Sequence, residues 1–201
     1  MTVGQIGVHE FITLDGVIDD PSWSFDYSFD PKMGEAIGEI MGSSQAILLG
    51  RRTYQEFAPA WFTRTAEEDP GAPFMNETAK YVVSASLQTA DWSNSSILGP
   101  YSASTIRDLK DRIDGNIHVS GSGTLVRALL ADGLVDDLHL FVYPLARGGG
   151  QRLFADTGPT TKFTLGGSEA YSNGVLYLTY TPYCPAPHTS GCWTAWTGLN
   201  R

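Results

Sequence analysis

The stretch Ile117-His118-Val119-Ser120-Gly121-Ser122-Gly123-Thr124-Leu125 decides the predicted fold. Residues 117–119 predict a buried strand, and the apolar spacing from Thr124 to Ala131 predicts a helix. Glycines at 121 and 123 let the backbone approach a ligand closely, and a helix start offers free N–H groups to a phosphate. The alternative is a tight turn without a ligand, since the full G-x-G-x-x-G pattern is missing.

A second stretch, Leu48-Leu49-Gly50-Arg51-Arg52-Thr53-Tyr54, repeats this order of strand, glycine and helix. Two arginines at a helix start oppose the helix dipole, so they need another reason to be there. Anion binding supplies one, because a guanidinium group can hold a phosphate through two hydrogen bonds. The alternative is a pair of solvated arginines on a surface helix.

The rest of the chain places both stretches in one α/β domain. We predict a three-layer fold with a mostly parallel central sheet, helices on both faces and a C-terminal antiparallel hairpin. Ligands bind such sheets at the carboxyl ends of the strands, where both stretches lie. Residues 63–73 are expected to form a surface loop. The predicted strands are 3–14, 46–49, 81–83, 96–98, 117–119, 138–143, 163–168 and 175–181, and the predicted helices are 32–42, 51–57, 102–113 and 124–131.

Composition narrows the class of protein. A net charge of -9 disfavours nucleic-acid partners. Because there is no apolar run of 18 residues and no signal-like N-terminus, we expect a cytoplasmic protein without membrane contact. We expect one domain at 1–181 and a disordered tail at 182–201, which holds the two cysteines, Cys184 and Cys192. The histidines show no metal-ligand spacing, so no metal site is expected.

Several short motifs resemble the dihydrofolate reductase fold, in the order in which that fold uses them. They are Leu49-Gly50-Arg51-Arg52-Thr53, then Val82-Val83-Ser84, then Val119 to Leu125. More closely, the chain is similar to the C-terminal reductase domain of the bifunctional riboflavin-biosynthesis deaminase/reductase, whose opening S-L-D-G matches Thr13-Leu14-Asp15-Gly16. This resemblance covers about residues 3 to 181.

The resemblance implies that NADPH is the cofactor and assigns its contacts. Arg51, Arg52 and Ser84 would face the adenosine 2′-phosphate. Thr53 and the turn formed by Gly121, Ser122, Gly123, Thr124 and Leu125 would hold the pyrophosphate, and Gly50 would also bind the cofactor. Because the second serine of the family's third-strand motif is Ala85 here, NADH remains an alternative.

The resemblance also suggests a catalytic and substrate-binding group. Asp15 would lie near the nicotinamide and the substrate, where a carboxylate can position the substrate or relay a proton. Its alternative role is that of an ordinary Asp-Gly turn. Trp23 and Tyr27 would bind the flat ring of a substrate, and their alternative role is core packing.

These observations predict an NADPH-dependent reductase of a small heterocyclic substrate, with a 5-amino-6-(5-phosphoribosylamino)uracil-type pyrimidine as the leading candidate and a homodimer as the assembly that the resemblance implies. His9 replaces a lysine of the riboflavin-pathway domain, and no deaminase motif is present. The alternatives are a nucleotide-binding module without turnover, a dihydrofolate or pterin reductase, and a purely structural α/β domain.

Overall fold

The computed structural model describes residues 3–154, 157 and 160–183. They form eight strands, five α-helices and a short 3-10 helix at Pro21–Asp26. The strands are β1 (Gln5–Thr13), β2 (Ser44–Gly50), β3 (Ala79–Val83), β4 (Ser95–Gly99), β5 (Asn116–Ser120), β6 (Asp137–Tyr143), β7 (Phe163–Ala170) and β8 (Leu176–Pro182). The helices are α1 (Pro31–Gly42), α2 (Arg51–Trp61), α3 (Ala72–Glu77), α4 (Ala103–Arg112) and α5 (Gly123–Ala131).

All eight strands belong to one sheet, in the order β4-β3-β2-β5-β1-β6-β8-β7. The six strands from β4 to β6 are parallel, whereas β8 pairs antiparallel with both β6 and β7. The predicted fold class is therefore confirmed, and the hairpin lies at one edge of the sheet. Because β2 and β5 are neighbours, the two strand-to-helix bends lie side by side.

The core is divided between the two faces of the sheet. On one face, Ile106 and Leu109 of α4 and Leu129 of α5 pack on the apolar side chains of β1 and β5. On the other face, Met33 of α1 packs near Tyr143, and α2 and α3 cover β2 and β3. This arrangement gives the three layers that the alternating strand and helix pattern predicts.

Helix α3 was not predicted, and its first residues fall in the segment expected to be a loop. It has only six residues, too few to show helical periodicity. The amino group of Lys80, which is fully buried, donates to the carbonyl oxygens of Met75 and Thr78, both at 2.8 Å. A cation three residues beyond the end of this helix thus stabilises its carboxyl end.

The described chain ends just beyond the predicted domain. Strand β8 continues to Pro182, and the backbone N–H of Tyr183 donates to the carbonyl oxygen of Lys162 at 2.8 Å. The remainder of the predicted tail, including Cys184 and Cys192, lies outside the described residues. Within the described ranges, no helix has the length and apolar character needed to cross a membrane.

Candidate active site

The first bend joins β2 to α2 at Gly50. Gly50 has φ −76° and supplies no side-chain cap to the helix. A helix start of this kind leaves its first N–H groups without intrahelical partners. Arg51 follows directly and donates to Oε1 of Gln55 at 2.9 Å on the exposed side of α2. The bend therefore combines an uncapped helix start with an exposed guanidinium.

Arg52 is held by two carboxylates. Its Nε donates to Oε1 of Glu56 at 3.0 Å, and its guanidinium lies 3.7 Å from a carboxylate oxygen of Asp19. These partners, Glu56 first, raise the pKa of Arg52. Because the arginine is 66% exposed, such pairs contribute little free energy. A phosphate could therefore exchange with them at small cost.

The second bend joins β5 to α5 and has an unusual backbone. Gly121 has φ 67° and Ser122 has φ 25°, both in the positive region. The N–H of Gly121 donates to Oε1 of Glu10 at 3.0 Å, and that of Ser122 donates to Oγ1 of Thr53 at 2.9 Å. These two N–H groups are therefore already hydrogen-bonded within the protein. The N–H groups that a ligand can use begin at Gly123, since Ser122 supplies no side-chain cap to α5.

The two bends contact each other directly. A Cβ built on Gly50 would lie 2.6 Å from Cβ of Ser122, closer than real side chains approach. A Cβ on Gly121 would lie 3.1 Å from Oγ1 of Thr53. Glycine at both positions therefore allows the two helix starts to come into contact. The sequence pattern predicted that the two bends lie together at the ends of neighbouring strands.

A cavity of about 200 Å³ opens beside the bends. Its walls come from the end of β1, the following loop, the first turns of α2 and the β5–α5 bend. Among the predicted cofactor residues it brings together Arg52, Thr53 and the first three residues of the glycine turn. The lining residues are His9, Glu10, Phe11, Ile18, Asp19, Asp20, Pro21, Arg52, Thr53, Glu56, Phe57, Ser120, Gly121, Ser122, Gly123 and Gln151.

Glu10 is a site residue that the sequence analysis missed. It is only 4% exposed, and burial raises its pKa to about 8, partly offset by the hydrogen bond from Gly121. The sequence signal that could have identified Glu10 was its place in the alternating pattern of β1. Ile6, Val8 and Ile12 share its side of the strand and are buried. An acid in that alternation is expected to be buried too.

The histidines of the central strands pack against neighbouring rings, but two of them leave a ring nitrogen without a partner among the described residues. Nε2 of His9 and Nδ1 of His118 are buried and accept or donate no hydrogen bond among the described residues. Burial lowers the pKa of both, that of His118 to about 4. Both rings are therefore neutral at neutral pH. His9 lines the cavity, and its ring centroid lies 5.5 Å from that of His118.

Asp15 connects the turn after β1 to the loop that contains Arg147 and Gly148. Its carboxylate accepts hydrogen bonds from Oγ1 of Thr13 at 2.5 Å and from the N–H groups of Arg147 at 3.1 Å and Gly148 at 2.8 Å. The Thr13 hydroxyl first, and then these N–H groups, lower the pKa of Asp15 to about 2. A carboxyl group in this state stays ionised and holds no proton to donate near neutral pH. It does not line the cavity.

The two aromatic residues predicted to bind substrate pack on the sheet. The ring centroids of Trp23 and Tyr27 lie 5.1 and 5.3 Å from that of Tyr143, in edge-to-face geometry. Neither residue lines the cavity. These contacts agree with the alternative role of core packing. A role of Trp23 and Tyr27 in substrate binding stays a prediction.

The remaining predicted cofactor residues lie at the margins of the site. Oγ of Ser84 accepts the N–H groups of Ser86 at 3.1 Å and Leu87 at 2.9 Å and so holds the turn after β3. Oγ1 of Thr124 accepts a hydrogen bond from Gln151 at 3.4 Å. The side chain of Leu125 is buried in the core, so only its backbone can serve a ligand.

Solved structures of low sequence identity share this architecture. A protein from Shewanella sp. PV-4, provisionally assigned to riboflavin biosynthesis, superposes with a TM-score of 0.73 at 17% identity, over 89% of this chain and 99% of that one. The deaminase/5-amino-6-(5-phosphoribosylamino)uracil reductase of Thermotoga maritima gives a TM-score of 0.64 at 16% identity, over 90% of this chain and 57% of that chain.

Dihydrofolate reductase from Enterococcus faecalis, solved with NADP(H), gives a TM-score of 0.56 at 14% identity, over 90% of this chain and 98% of that one. The predicted dihydrofolate reductase-like fold is therefore confirmed. A comparison with curated protein sequences yields no match.

The family model of the RibD C-terminal domain matches residues 5–177, which include both bends and the cavity. The match extends over most of the chain and agrees with the resemblance carried by the strand-to-helix motifs. The chain belongs to the RibD C-terminal domain family, a family of reductases.

Proposed function

We propose that this chain is an NADPH-dependent reductase of a small heterocyclic substrate, of the 5-amino-6-(5-phosphoribosylamino)uracil reductase type. The observation that carries the proposal is the meeting of two helix starts, each without a side-chain cap, beside one cavity. Helix starts attract phosphate through free N–H groups and the helix dipole. Family membership supports the reductase activity.

The second bend offers a phosphate group the N–H groups of an uncapped helix start. A Cβ built on Gly123 would meet the side-chain ends of Ile18, Gln151 and Arg127 at 3.1–3.3 Å, so glycine leaves a narrow space here that flexible side chains border. In our proposal the N–H groups from Gly123 to Leu125 bind the pyrophosphate. Gly121 and Ser122 shape the turn rather than bind, because Glu10 and Thr53 already accept their N–H groups.

The adenosine 2′-phosphate is assigned to the start of α2. Arg51 is exposed and bonded to the neutral Gln55, so it can turn to a phosphate without breaking an ion pair. Arg52 would exchange Asp19 and Glu56 for the ligand. Ser84 would approach the same group with its hydroxyl proton, since its oxygen already accepts two N–H groups.

The bound nicotinamide supplies the hydride, and the cavity positions the substrate. We assign Asp15 to positioning rather than to proton transfer, because its pKa of about 2 keeps it ionised. Trp23 and Tyr27 are proposed to adjoin the substrate ring from the 3-10 helix side. We also propose a cytoplasmic location and a homodimeric assembly. The homodimer rests on the family resemblance alone and is tested by light scattering of the purified chain.

The experiment is an assay of NADPH oxidation by the purified chain. We expect turnover with the ribosylaminopyrimidine and none with dihydrofolate. NADPH binding with no oxidation in either case would show a binding module without turnover. Oxidation with dihydrofolate alone would show a pterin reductase, and an absence of dinucleotide binding would leave a structural domain.

A further inference from the structure

One carboxyl group on the cavity wall has no cation to balance it. Glu10 is 4% exposed, lies near the end of the central strand β1, and receives one hydrogen bond within the described part of the chain, from the N–H of Gly121. No salt bridge of the described residues includes it. A carboxylate in such surroundings loses its hydration without gaining a counter-charge, so the protonated form is favoured.

The surrounding charged groups are engaged elsewhere. Arg52 is paired with Asp19 and Glu56, and Arg127 of α5 donates to the carbonyl oxygen of Arg152 at 2.7 Å. The neighbouring residue on β6 is the apolar Leu140. The charged or titratable groups around Glu10, counted over its own strand, the following loop, α2 and α5, are His9, Asp19, Asp20, Arg52, Glu56 and Arg127.

We propose that Glu10 is the proton donor of this cavity and that it protonates the substrate as the hydride arrives. The inference rests on the proposed function. It follows from the position of a buried, uncompensated carboxyl group on the wall of the cavity and directly against the turn assigned to the cofactor. Its pKa of about 8 agrees with a proton retained at neutral pH.

The proposed step is balanced in atoms and electrons. Hydride from the bound nicotinamide adds to the electrophilic carbon of a C=N or C=O group of the substrate, and the π electron pair moves to the nitrogen or oxygen. That heteroatom takes the proton as the O–H bond of Glu10 breaks. Solvent then returns a proton to the carboxylate, and the cofactor leaves oxidised.

The other titratable candidates are less suited to this role. Asp15 has a pKa of about 2 and does not line the cavity. His9 does line it, but burial, together with the nearby His118, lowers its pKa well below the usual value. Near neutral pH, Asp15 and His9 therefore carry no proton that they can readily release as an acid.

Glu10→Gln is the informative substitution. A glutamine has the same shape and can still accept the N–H of Gly121, so the turn is retained while the acidic proton is lost. Glu35→Gln on the exposed face of α1 makes the same chemical change away from the cavity and serves as the matched control. Affinity for NADPH should be unchanged in both variants.

The first readout needs no substrate. With glutamate labelled at the carboxyl carbon by 13C, the NMR signal missing from Glu10→Gln identifies Glu10, and its shift is followed with pH in the presence and absence of NADPH. We expect a midpoint above pH 7. A midpoint near the ordinary value of a glutamate would overturn the proposal.

The second readout is single-turnover oxidation of NADPH by the ribosylaminopyrimidine. The wild-type rate should fall as pH rises through about 8, and Glu10→Gln should be slower by on the order of 10²- to 10⁴-fold, without that dependence. Equal rates and pH profiles would contradict a proton-donor role. If wild-type protein binds NADPH but reduces no pyrimidine, the proposed substrate is wrong, and a carboxyl midpoint near the ordinary value of a glutamate still overturns the proton-donor role.

Discussion

The β2–α2 bend and the β5–α5 bend meet beside the cavity, but they are held in different ways. At Gly50 the backbone is relaxed, and the side chains that follow form exposed pairs. At Gly121 and Ser122 the backbone has positive φ, and two distant side chains, Glu10 and Thr53, hold its N–H groups. The first bend offers exposed charge, and the second offers a cradle held by hydrogen bonds.

This difference suggests a division of labour between the bends. Exposed arginines can adjust to a terminal phosphate and select between cofactors. The second turn keeps its backbone conformation through hydrogen bonds to its N–H groups. It is therefore suited to binding a group that must be placed accurately near the reaction site. Substitutions at each bend test this division.

Gly50→Ala should cause the greatest damage, because the new Cβ would overlap Ser122 and push the bends apart. We expect a loss of about 1–3 kcal/mol in unfolding free energy, as overpacking usually causes, and loss of measurable NADPH binding. Urea unfolding and calorimetry measure both. Gly38→Ala, in open space on α1, is the control and should be neutral or slightly stabilising. Wild-type affinity in Gly50→Ala would show that the bends need not touch.

Gly121→Ala should cost about 1–2 kcal/mol in stability, because alanine is strained at φ 67°. Gly99→Ala carries a similar strain at φ 88° with no atom near the new Cβ, so it isolates the backbone cost. We expect Gly121→Ala to unfold at a somewhat lower temperature than Gly99→Ala, because its new Cβ also lies 3.1 Å from Oγ1 of Thr53. Roughly tenfold weaker NADPH binding is expected in Gly121→Ala only. Equal binding by both variants would argue against a hydrogen-bonded cradle at the second bend.

The second bend should also respond to pH through Glu10. The native pKa of about 8 lies above the unfolded value, so the folded state binds the extra proton. The contribution of Glu10 to the free energy of unfolding is fully present below about pH 4.5 and is lost as pH rises toward 8. Between pH 6.5 and 8, where His118 stays neutral, wild type should lose about 1–2 kcal/mol relative to Glu10→Gln in urea titrations. Parallel curves would contradict a buried, protonated Glu10.

Arg51→Ala should weaken NADPH binding by about tenfold and change NADH binding little, because it removes a charged partner of the 2′-phosphate alone. Arg52→Ala is expected to have a smaller effect, since this arginine already has Asp19 and Glu56 as partners. Affinities for both cofactors provide the measurement. Equal losses for NADPH and NADH would remove Arg51 from the 2′-phosphate site.

Thr53→Val should have the smallest effect, about 1 kcal/mol in stability, because it removes one acceptor from the N–H of Ser122. NADPH binding should weaken by about fivefold. Thr53→Ser keeps the oxygen and should restore most of the affinity. If serine is as poor as valine, the methyl group of Thr53 matters, and the hydrogen bond does not.

The bends themselves could be predicted from the sequence, because strand and helix periodicities on either side of a glycine are local signals. Their closeness also followed, since neighbouring parallel strands end at one edge of the sheet. The groups that hold the second bend could not be predicted in this way. Glu10 and Gly121 are 111 positions apart, and Thr53 and Ser122 are 69 apart. No local pattern pairs such residues.

Long-range contacts also decide the roles of the aromatic and acidic residues for which the sequence allowed two interpretations. The sequence allowed Asp15 to be a site residue or a turn residue. Two of its three hydrogen bonds come from the loop at Arg147 and Gly148, which no nearby motif specifies. Trp23 and Tyr27 contact Tyr143, more than a hundred positions away. Contacts of this length are decided by the assembled sheet rather than by local spacing.

The most direct test of the account is a crystal structure of the chain soaked with NADPH. We predict that the pyrophosphate lies on the N–H groups that begin at Gly123, with the nicotinamide in the cavity beside Glu10. A dinucleotide bound away from both bends, or crystals that take up none, would contradict the assignment of the cofactor site to the two bends.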